Sequence, residues 1–414
     1  MFQSGNSQVV FLKLVELTKI KSAPVGLECY IEELRRILKT WSTSPVIVNS
    51  DSRVVENINV YSALRALRVR YVPVAESRSE LGEVVKLDLL DVYHNVIPRS
   101  ETRVYDSVVE LLEKDLPTPL VKLRFLGGGN LRIWAKLEWY HPFSLSIKDR
   151  IAHGMVKEAV ERGLLASKRV VYEATSTNTG LALAGLANFY GFKLRVYLPS
   201  TAQRCVDYLF KALGAEAVRE DAPITTALLQ KVLEEAVRDG ALVLNQFSND
   251  VNFTTHLSTT AKELDYQLGS VGVRPRAIIC GLGTSGHASA ISFYFKNKYG
   301  DVKVYGVQPS RGSVIPGLRR VETGMKWIGH AELDGVVDVS LEEAFSAVLE
   351  VARSDGTIFG LSGGAVLHVA KKLVEEGAVD GDIVVVIPDH GVKYVELLEY
   401  LVEKCVETPW GEAK

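Results

Sequence analysis

From about residue 125 onward, short runs of Val, Ile and Leu alternate with longer stretches whose apolar residues recur at helical spacing, and Gly, Pro or Asp divides one from the next. Leu131 to Leu137, Arg169 to Glu173, Lys193 to Leu198, Ala241 to Asn245, Ala277 to Cys280, Val302 to Val307 and Ile383 to Ile387 are the predicted strands. Most are continuously apolar, as parallel strands covered on both faces require. Ala202 to Leu213, Thr225 to Arg238 and Leu341 to Arg353 are predicted helices, followed by Gly214, Gly240 and Gly356 where a helix end favours glycine. The rhythm is βαβ, which predicts an α/β fold.

The first hundred residues follow another pattern. Glu28 to Lys39 predicts a helix, Pro45 to Asn49 a strand, Tyr61 to Leu67 a second helix and Arg70 to Val74 a second strand, together a small separate α/β unit. Val92 to Asp115, rich in charge and carrying Pro98, reads as a connector. A chain of 414 residues exceeds the usual single domain, in keeping with more than one folding unit. Hydrophobic residues at 47% and charged residues at 24% describe a globular chain in water and exclude a disordered or collagen-like one. Lys and Arg number 48 against 50 Asp and Glu, so no global positive field favours nucleic acid or anionic lipid, and the expected partners are small molecules. Cys29, Cys205, Cys280 and Cys405 are too scattered for a zinc site or a disulfide framework; they are expected to be reduced and mostly buried, with no metal bound. The N-terminus lacks a basic start and an apolar core, and no apolar run approaches the roughly 20 residues that span a bilayer, so the expected location is the cytoplasm, off the membrane.

Four segments place Gly, Ser, Thr or Lys where a strand should pass into a helix, the place at which α/β sheets bind ligands against free helix N–H groups. Lys136 to Arg150 leaves a strand, turns at Pro142 and enters a helix near Ser146 with Lys148 in its first turn. Cations favour the other helix end, so Lys148 is either a solvated residue or an amine used neutral or as an imine; partial desolvation lowers a lysine pKa and favours attack on an aldehyde. Glu173 to Gly180 surrounds a turn with more hydroxyl and amide groups than one N-cap needs, and suits a carboxylate. Cys280-Gly-Leu-Gly-Thr-Ser-Gly-His287 reads as a phosphate cup whose glycines let backbone N–H groups approach an anion; it lacks the Lys-Ser/Thr ending of a nucleotide loop. Gly360 to Ala365 opens a further helix and is nonspecific alone.

Taken in order, these segments resemble the fold-type II pyridoxal-phosphate enzymes, specifically the cysteine synthase and cystathionine β-synthase family, over roughly residues 115 to 400. Pro117-Thr-Pro-Leu120 is similar to the family's opening, Ser146-Ile-Lys-Asp-Arg150 to its Schiff-base lysine segment and Thr175-Ser-Thr-Asn-Thr-Gly180 to its substrate-carboxylate loop. Asn245-Gln-Phe-Ser-Asn249 is similar to a second substrate segment and Pro388 to Tyr394 to the family's closing segment. The resemblance implies two doubly wound three-layer αβα subdomains with pyridoxal 5'-phosphate between them, in a catalytic part of residues 101–414 whose smaller, mobile subdomain is about 145–245, and a homodimer. It implies Lys148 as the Schiff-base lysine and proton acceptor, and Asn178 at the cofactor's ring oxygen. It sets Gly281, Gly283, Thr284, Ser285 and Gly286 around the cofactor phosphate, Ser362 at the pyridine nitrogen, and Thr175, Ser176, Thr179 and Gln246 at the substrate carboxylate. A neutral Ser362 does not enforce a protonated ring, which favours β-elimination. His141, Thr177 and Asp389-His390 depart from the family's usual Asn, Gly and small polar residues.

Within the family, Lys136 to Tyr140 with Pro142 to Ser146, and Ile315 to Met325, resemble the archaeal O-phosphoserine sulfhydrylases. Arg311, Arg319 and Arg320 give that likeness a physical basis, because a guanidinium grips phosphate through two N–H groups and an acetylated substrate needs none. Adjacent residues on a helix point apart, so only one of Arg319 and Arg320 is expected in the site, and the resemblance selects Arg319. The implied reaction joins O-phospho-L-serine and sulfide into L-cysteine through an aminoacrylate. The alternatives are an O-acetylserine sulfhydrylase or cystathionine β-synthase, a serine or threonine dehydratase, and a non-catalytic ligand-binding protein. Asn245 to Asn249 argues against the dehydratase, and Lys148 with the phosphate cup against the silent protein. Ser44 to Asp51 with Val60 to Val74 resembles the ParB-like fold, some members of which phosphorylate free serine. Glu56-Asn-Ile-Asn59 stands where such kinases carry acidic and His residues, so residues 1–100 are expected to be a non-catalytic packing or regulatory module.

Overall fold

All seven predicted strands form, within a residue or two except for a shortened Leu242–Val243, and they fall into two sheets. The structure is a computed structural model describing residues 12–76, 78–98 and 102–405, together with the short paired strands Phe2–Gln3 and Val9–Val10. The larger sheet has six strands in the order Gly335–Val339, Lys303–Pro309, Ala277–Gly281, Asp382–Ile387, Leu131–Leu137 and Leu120–Gly128. Its neighbours are parallel except for the last pair, which is antiparallel. The smaller sheet is parallel, in the order Glu216–Glu220, Lys193–Pro199, Val170–Ala174 and Leu242–Val243. Ala277 to Cys280 and Ile383 to Ile387 are fully buried, which explains their unbroken apolar character.

In both sheets the chain runs outward, then returns to the other side of its starting strand. Such a reversal opens a crevice beyond the strand C-termini. The segments after Leu131–Leu137, Ala277–Gly281, Lys303–Pro309 and Asp382–Ile387 leave the larger sheet at that end, and those after Val170–Ala174 and Leu242–Val243 leave the smaller one there. Helices Leu341–Asp355 and Leu361–Glu375 cover one face of the larger sheet, while Gly286–Tyr299 covers the other.

The first hundred residues do not pack apart. Leu34, Ile37, Leu38, Leu64 and Leu67 share one continuous core with Phe253, Leu257, Ala290 and Phe293. Helix Ile31–Thr40 lies against Gly286–Tyr299. Lys262, fully buried, reaches from the larger part to donate to the carbonyls of Leu67 (2.9 Å) and Val92 and to Asn95 Oδ1 (2.7 Å). Leu67 ends helix Ile58–Ala66, so the amine sits where helix carbonyls lack partners. Nearby, Lys298 pairs with Asp265 and lies over the rings of Trp41 (5.2 Å) and Tyr299 (5.0 Å).

The Val92 to Asp115 stretch, expected to be a plain connector, contains the end of helix Leu89–Tyr93 and all of Val108–Lys114. Asp88 and Ser107 accept from Leu90 N and Glu110 N and cap them. Of the three cysteines with described side chains only Cys280 is buried; Cys29 is exposed because Leu27 takes the interior position of its turn, and Cys205 is half-buried. Among the described residues no helix is long and apolar enough to cross a membrane.

Candidate functional site

Lys148 is the first residue of helix Lys148–Glu161. Ser146 Oγ accepts from its N–H (3.1 Å), and Asp149 turns back to accept from Phe143 N (2.7 Å) and Ser144 N (2.9 Å), fixing the turn after Pro142. Ile147 N donates to Pro388 O (2.9 Å), which ties the start of the helix to the end of strand Asp382–Ile387. Solvent reaches part of the side chain, but protein surrounds the amine, which forms no hydrogen bond among the described residues. Desolvation lowers its pKa to about 8; Asp389 opposes that shift and Lys393 adds to it. His287, at the end of the glycine-rich turn, is held at about 3 by burial and then by the Lys148 charge, so the lysine and that turn share one cleft.

Strand Ala277–Gly281 leads through residues 282–285 into helix Gly286–Tyr299. Ser285 takes a left-handed φ of 70° at the N-cap. A Cβ on Gly283 would lie 2.5 Å from Gly317 O, and one on Gly286 would lie 1.9 Å from Asn252 Oδ1, so neither position has room for a side chain. Thr284 Oγ1 accepts from Asn252 Nδ2 (3.0 Å), whereas Ser285 Oγ is buried with no partner among the described residues at the mouth of a 14-residue helix. A hydroxyl and helix N–H groups around a close-approach turn form an anion cup.

In the smaller sheet, Thr177 stands at the start of helix Asn178–Tyr190 without a capping side-chain bond, its Oγ1 donating to Ser176 O (2.6 Å) instead, while Thr175 Oγ1 accepts from Gly180 N (3.1 Å). Thr179 Oγ1 donates to Gln246 Oε1 (2.7 Å), and Gln246 Nε2 donates to Ala174 O (3.0 Å). Beneath them Glu173 accepts from Asn245 N (2.8 Å) and Gln246 N (3.0 Å); its burial outweighs those bonds and raises its pKa to about 7. The structure thus brings Thr175, Thr179 and Gln246 together, with Ser176 half-buried beside them. Ser362 is buried in the first turn of Leu361–Glu375, close to Gly317.

Asn178 is held at both ends of its amide. Its Nδ2 donates to Asp389 Oδ2 (2.7 Å), and its Oδ1 accepts from Lys393 Nζ (2.6 Å). Lys393 also donates to Ser144 O (2.8 Å) and lies 3.5 Å from Asp389, and burial lowers its pKa. Sequence reasoning missed Lys393; its position in the closing segment, five residues beyond Pro388, was the available signal.

The three arginines separate cleanly. Arg311 is exposed and Arg320 binds Pro309 O, Asp338 and Glu322, both facing away. Arg319 N donates to Leu282 O (2.8 Å), its Nε donates to Gly283 O (2.6 Å), and its guanidinium stacks over Phe247 at 5.0 Å. It forms no ion pair among the described residues, and desolvation lowers its pKa to about 10. The expectation that Arg319 and Arg320 stand on a helix is corrected: Pro316 and Gly317, the latter at φ 84°, keep the segment irregular until the short turn Val321–Thr323.

A sequence model of the family described as pyridoxal-phosphate dependent enzyme matches residues 111–389. The chain belongs to that family. Cysteine synthase B of Escherichia coli K12 is 34% identical over 283 residues, covering 67% of this chain and 91% of that protein. Cysteine synthase A of the same organism is 36% identical over 301 residues with the same coverage. Among solved structures, a hydrogen sulfide-producing enzyme from Fusobacterium nucleatum superposes with a TM-score of 0.64 at 31% identity, covering 70% of this chain and all of that one.

The pyridoxal-phosphate family depends on that cofactor, and the cleft fits it. The partnerless Ser285 Oγ and the side-chain-free Gly283 and Gly286 match a phosphate, and the desolvated Lys148 amine matches an aldehyde. Underneath lies a buried ionic network that sequence reasoning missed. Arg150 Nε binds Glu138 (2.6 Å) and its Nη2 binds Glu263 (2.7 Å), while Lys136 binds Glu263 (2.8 Å) and Thr118 O (2.7 Å). Burial works against the carboxylates, yet Arg150 and Lys136 hold Glu263 down at about 2. The network joins the Pro117-Thr118 turn, strand Leu131–Leu137 and the Lys148 helix.

Proposed function

We propose that the protein forms L-cysteine by β-replacement, with O-phospho-L-serine and sulfide as substrates. The observation that carries the choice of leaving group is Arg319, a half-buried guanidinium fixed to the glycine-rich turn with no carboxylate partner among the described residues. A dianionic phosphate supplies the counter-charge it lacks, and an acetyl ester does not. Lys148 would hold the cofactor aldehyde, Gly281 to Gly286 its phosphate, Ser362 its ring nitrogen and Asn178 its ring oxygen. Bound there, pyridoxal phosphate supplies an electron sink for negative charge at the substrate Cα. Thr175, Ser176, Thr179 and Gln246 orient the substrate carboxylate. Lys148 takes the Cα proton, and an amine near 8 is unprotonated in a useful fraction around neutral pH. Phosphate leaves Cβ with its bonding pair, the sulfur of sulfide bonds to Cβ, and Lys148 returns the proton to Cα. Residues 1–100 serve as a non-catalytic packing module, a reading supported by the shared core and by Glu56, whose carboxylate is held by Arg78 at 2.5 Å.

The test is steady-state cysteine formation by the cofactor-loaded chain. O-Phosphoserine is expected to exceed O-acetylserine in kcat/KM by about tenfold or more; equal or reversed values refute the substrate. Lys148→Ala is expected to abolish turnover, and an active variant refutes the assignment as a whole.

A further inference from the structure

Outside the glycine cup and the substrate loops, the N-terminal unit and the catalytic part frame a half-open cavity of about 200 Å³. Arg68 of the N-terminal unit lines it, with Glu113 from helix Val108–Lys114, His153 and Lys157 from the Lys148 helix, and Thr255 and Thr259 from the opposite wall. None of these residues belongs to the glycine cup or the substrate loops.

Arg68 is the cation of this cavity that no carboxylate contacts among the described residues. Its guanidinium has no hydrogen bond or ion pair among the described residues, and its charge weighs on the buried Lys262 close by. Lys157 has Glu113 at 2.8 Å and Arg150 has Glu138 and Glu263, whereas Arg68 feels Glu113 and Glu161 only at longer range, with no carboxylate within ion-pair distance among the described residues. Buried His153 adds an Nε2 that lies 3.3 Å from Glu113 Oε1, off the line of a hydrogen bond. Two backbone irregularities frame the cavity. Arg68 itself is left-handed at φ 48°, and Thr259 sits in the π-helical turn Leu257–Ala261. Strained residues and π-turns persist where the surrounding structure imposes them, commonly beside ligand sites. A desolvated guanidinium without a contacting counter-charge is costly to bury.

We propose that this cavity is a second anion site, binding a small tetrahedral oxyanion of the phosphate class through Arg68, with Lys157 and His153 completing its shell. The ligand would bridge the N-terminal unit to the helix that starts at Lys148, and the site is independent of the reaction assigned above.

The test is calorimetric titration of inorganic phosphate into the cofactor-loaded full chain, with the cofactor absorbance followed in parallel. The expected result is a binding event that leaves the absorbance unchanged and that Arg68→Gln weakens at least about tenfold, Lys157→Ala less. In phosphate-free buffer Arg68→Gln should melt at or above the wild-type temperature, since it removes an unpaired charge, and it should lose the phosphate-induced rise. Unchanged phosphate affinity in Arg68→Gln, or no phosphate event beyond one that shifts the absorbance, overturns the proposal. Cysteine formation by Arg68→Gln is expected to stay near wild type, so the outcome is separate from the fate of the cleft assignment.

Discussion

Replacing Arg319 by alanine tests the link between one side chain and one leaving group. Nε is committed to Gly283 O at 2.6 Å, which holds the guanidinium in place, and Nη1 meets only Thr323 at a long 3.3 Å. Two Nη groups therefore remain for a phosphate. A hydrogen bond assisted by charge contributes about 1.5–3 kcal/mol, and the half-exposed position argues for the lower figure, so two are worth about 3 kcal/mol. That corresponds to roughly a hundredfold in kcat/KM for O-phosphoserine. The same substitution frees Gly283 O and loosens the cup for any substrate, so the absolute rate is not the decisive quantity. The ratio of kcat/KM for O-phosphoserine to that for O-acetylserine is. It should fall by roughly a hundredfold in Arg319→Ala and by less in Arg319→Lys, which keeps the charge without the planar fork. An unchanged ratio in Arg319→Ala, whatever happens to either rate alone, refutes the argument.

Lys148 should titrate well below a solvent-exposed lysine. In the cofactor-free chain its reaction with a small amine-selective reagent, followed by peptide mass spectrometry, is expected to reach half its maximal rate at pH about 8; a midpoint near the ordinary 10.4 would show that the amine is not desolvated. Gly283→Ala forces a methyl group against Gly317 O, a contact of 2.5 Å that only a backbone shift relieves. Such overpacking costs about 1–3 kcal/mol, and equilibrium dialysis should show the cofactor bound about tenfold more weakly; wild-type affinity would place the cofactor phosphate elsewhere. Lys262→Met leaves the carbonyls of Leu67 and Val92 and the Asn95 amide oxygen buried without their donor. Loss of about 3 kcal/mol of unfolding free energy in urea is expected, and an unmoved midpoint would mean that the N-terminal unit is not anchored there.

In the two main sheets, six of the seven strands that the sequence pattern predicts are central ones, the shortened Leu242–Val243 being an edge, and those it misses are all edges. Leu120–Gly128 and Gly335–Val339 flank the larger sheet and Glu216–Glu220 the smaller. Gly335–Val339 alternates half-buried and exposed positions over most of its length, and Leu120–Gly128 keeps only Leu123 and Phe125 buried, so neither carries the continuous apolar run of a strand covered on both faces. The cleft segments were legible for a different reason: a turn that must admit an anion or a carboxylate needs Gly, Ser and Thr in sequence, and local composition records that need. Partners brought in from distant segments leave no such trace. Lys393 on Asn178, Glu263 on Arg150 and Lys262 under Leu67 are contacts across roughly one to two hundred residues. The shared core between the first hundred residues and Gly286–Tyr299 was hidden in the same way, because an amphipathic helix shows that it has a partner without showing which one.

Charge balance in the cleft ties these contacts to the chemistry. Lys148, Lys393 and Arg319 contribute three cationic side chains; Asp389 is the carboxylate whose field reaches both lysines, and the buried Asp149, bonded to Phe143 N and Ser144 N, acts on Lys393 as well. Asp389 is shared among Asn178, Tyr394 and Lys393, so it cannot neutralise all three cations. The deeper network is balanced within itself, with Lys136 and Arg150 facing Glu138 and Glu263, and lends the cleft no surplus of either sign. A cleft with an excess of positive charge and an anion cup at a helix N-terminus is built for ligands that bring several negative charges. Pyridoxal phosphate brings one phosphate and a phosphorylated amino acid brings a second together with its carboxylate. On the proposed reading, an acetylated substrate leaves Arg319 desolvated and without an anionic partner when the cofactor is in place, whereas a phosphorylated one supplies that partner.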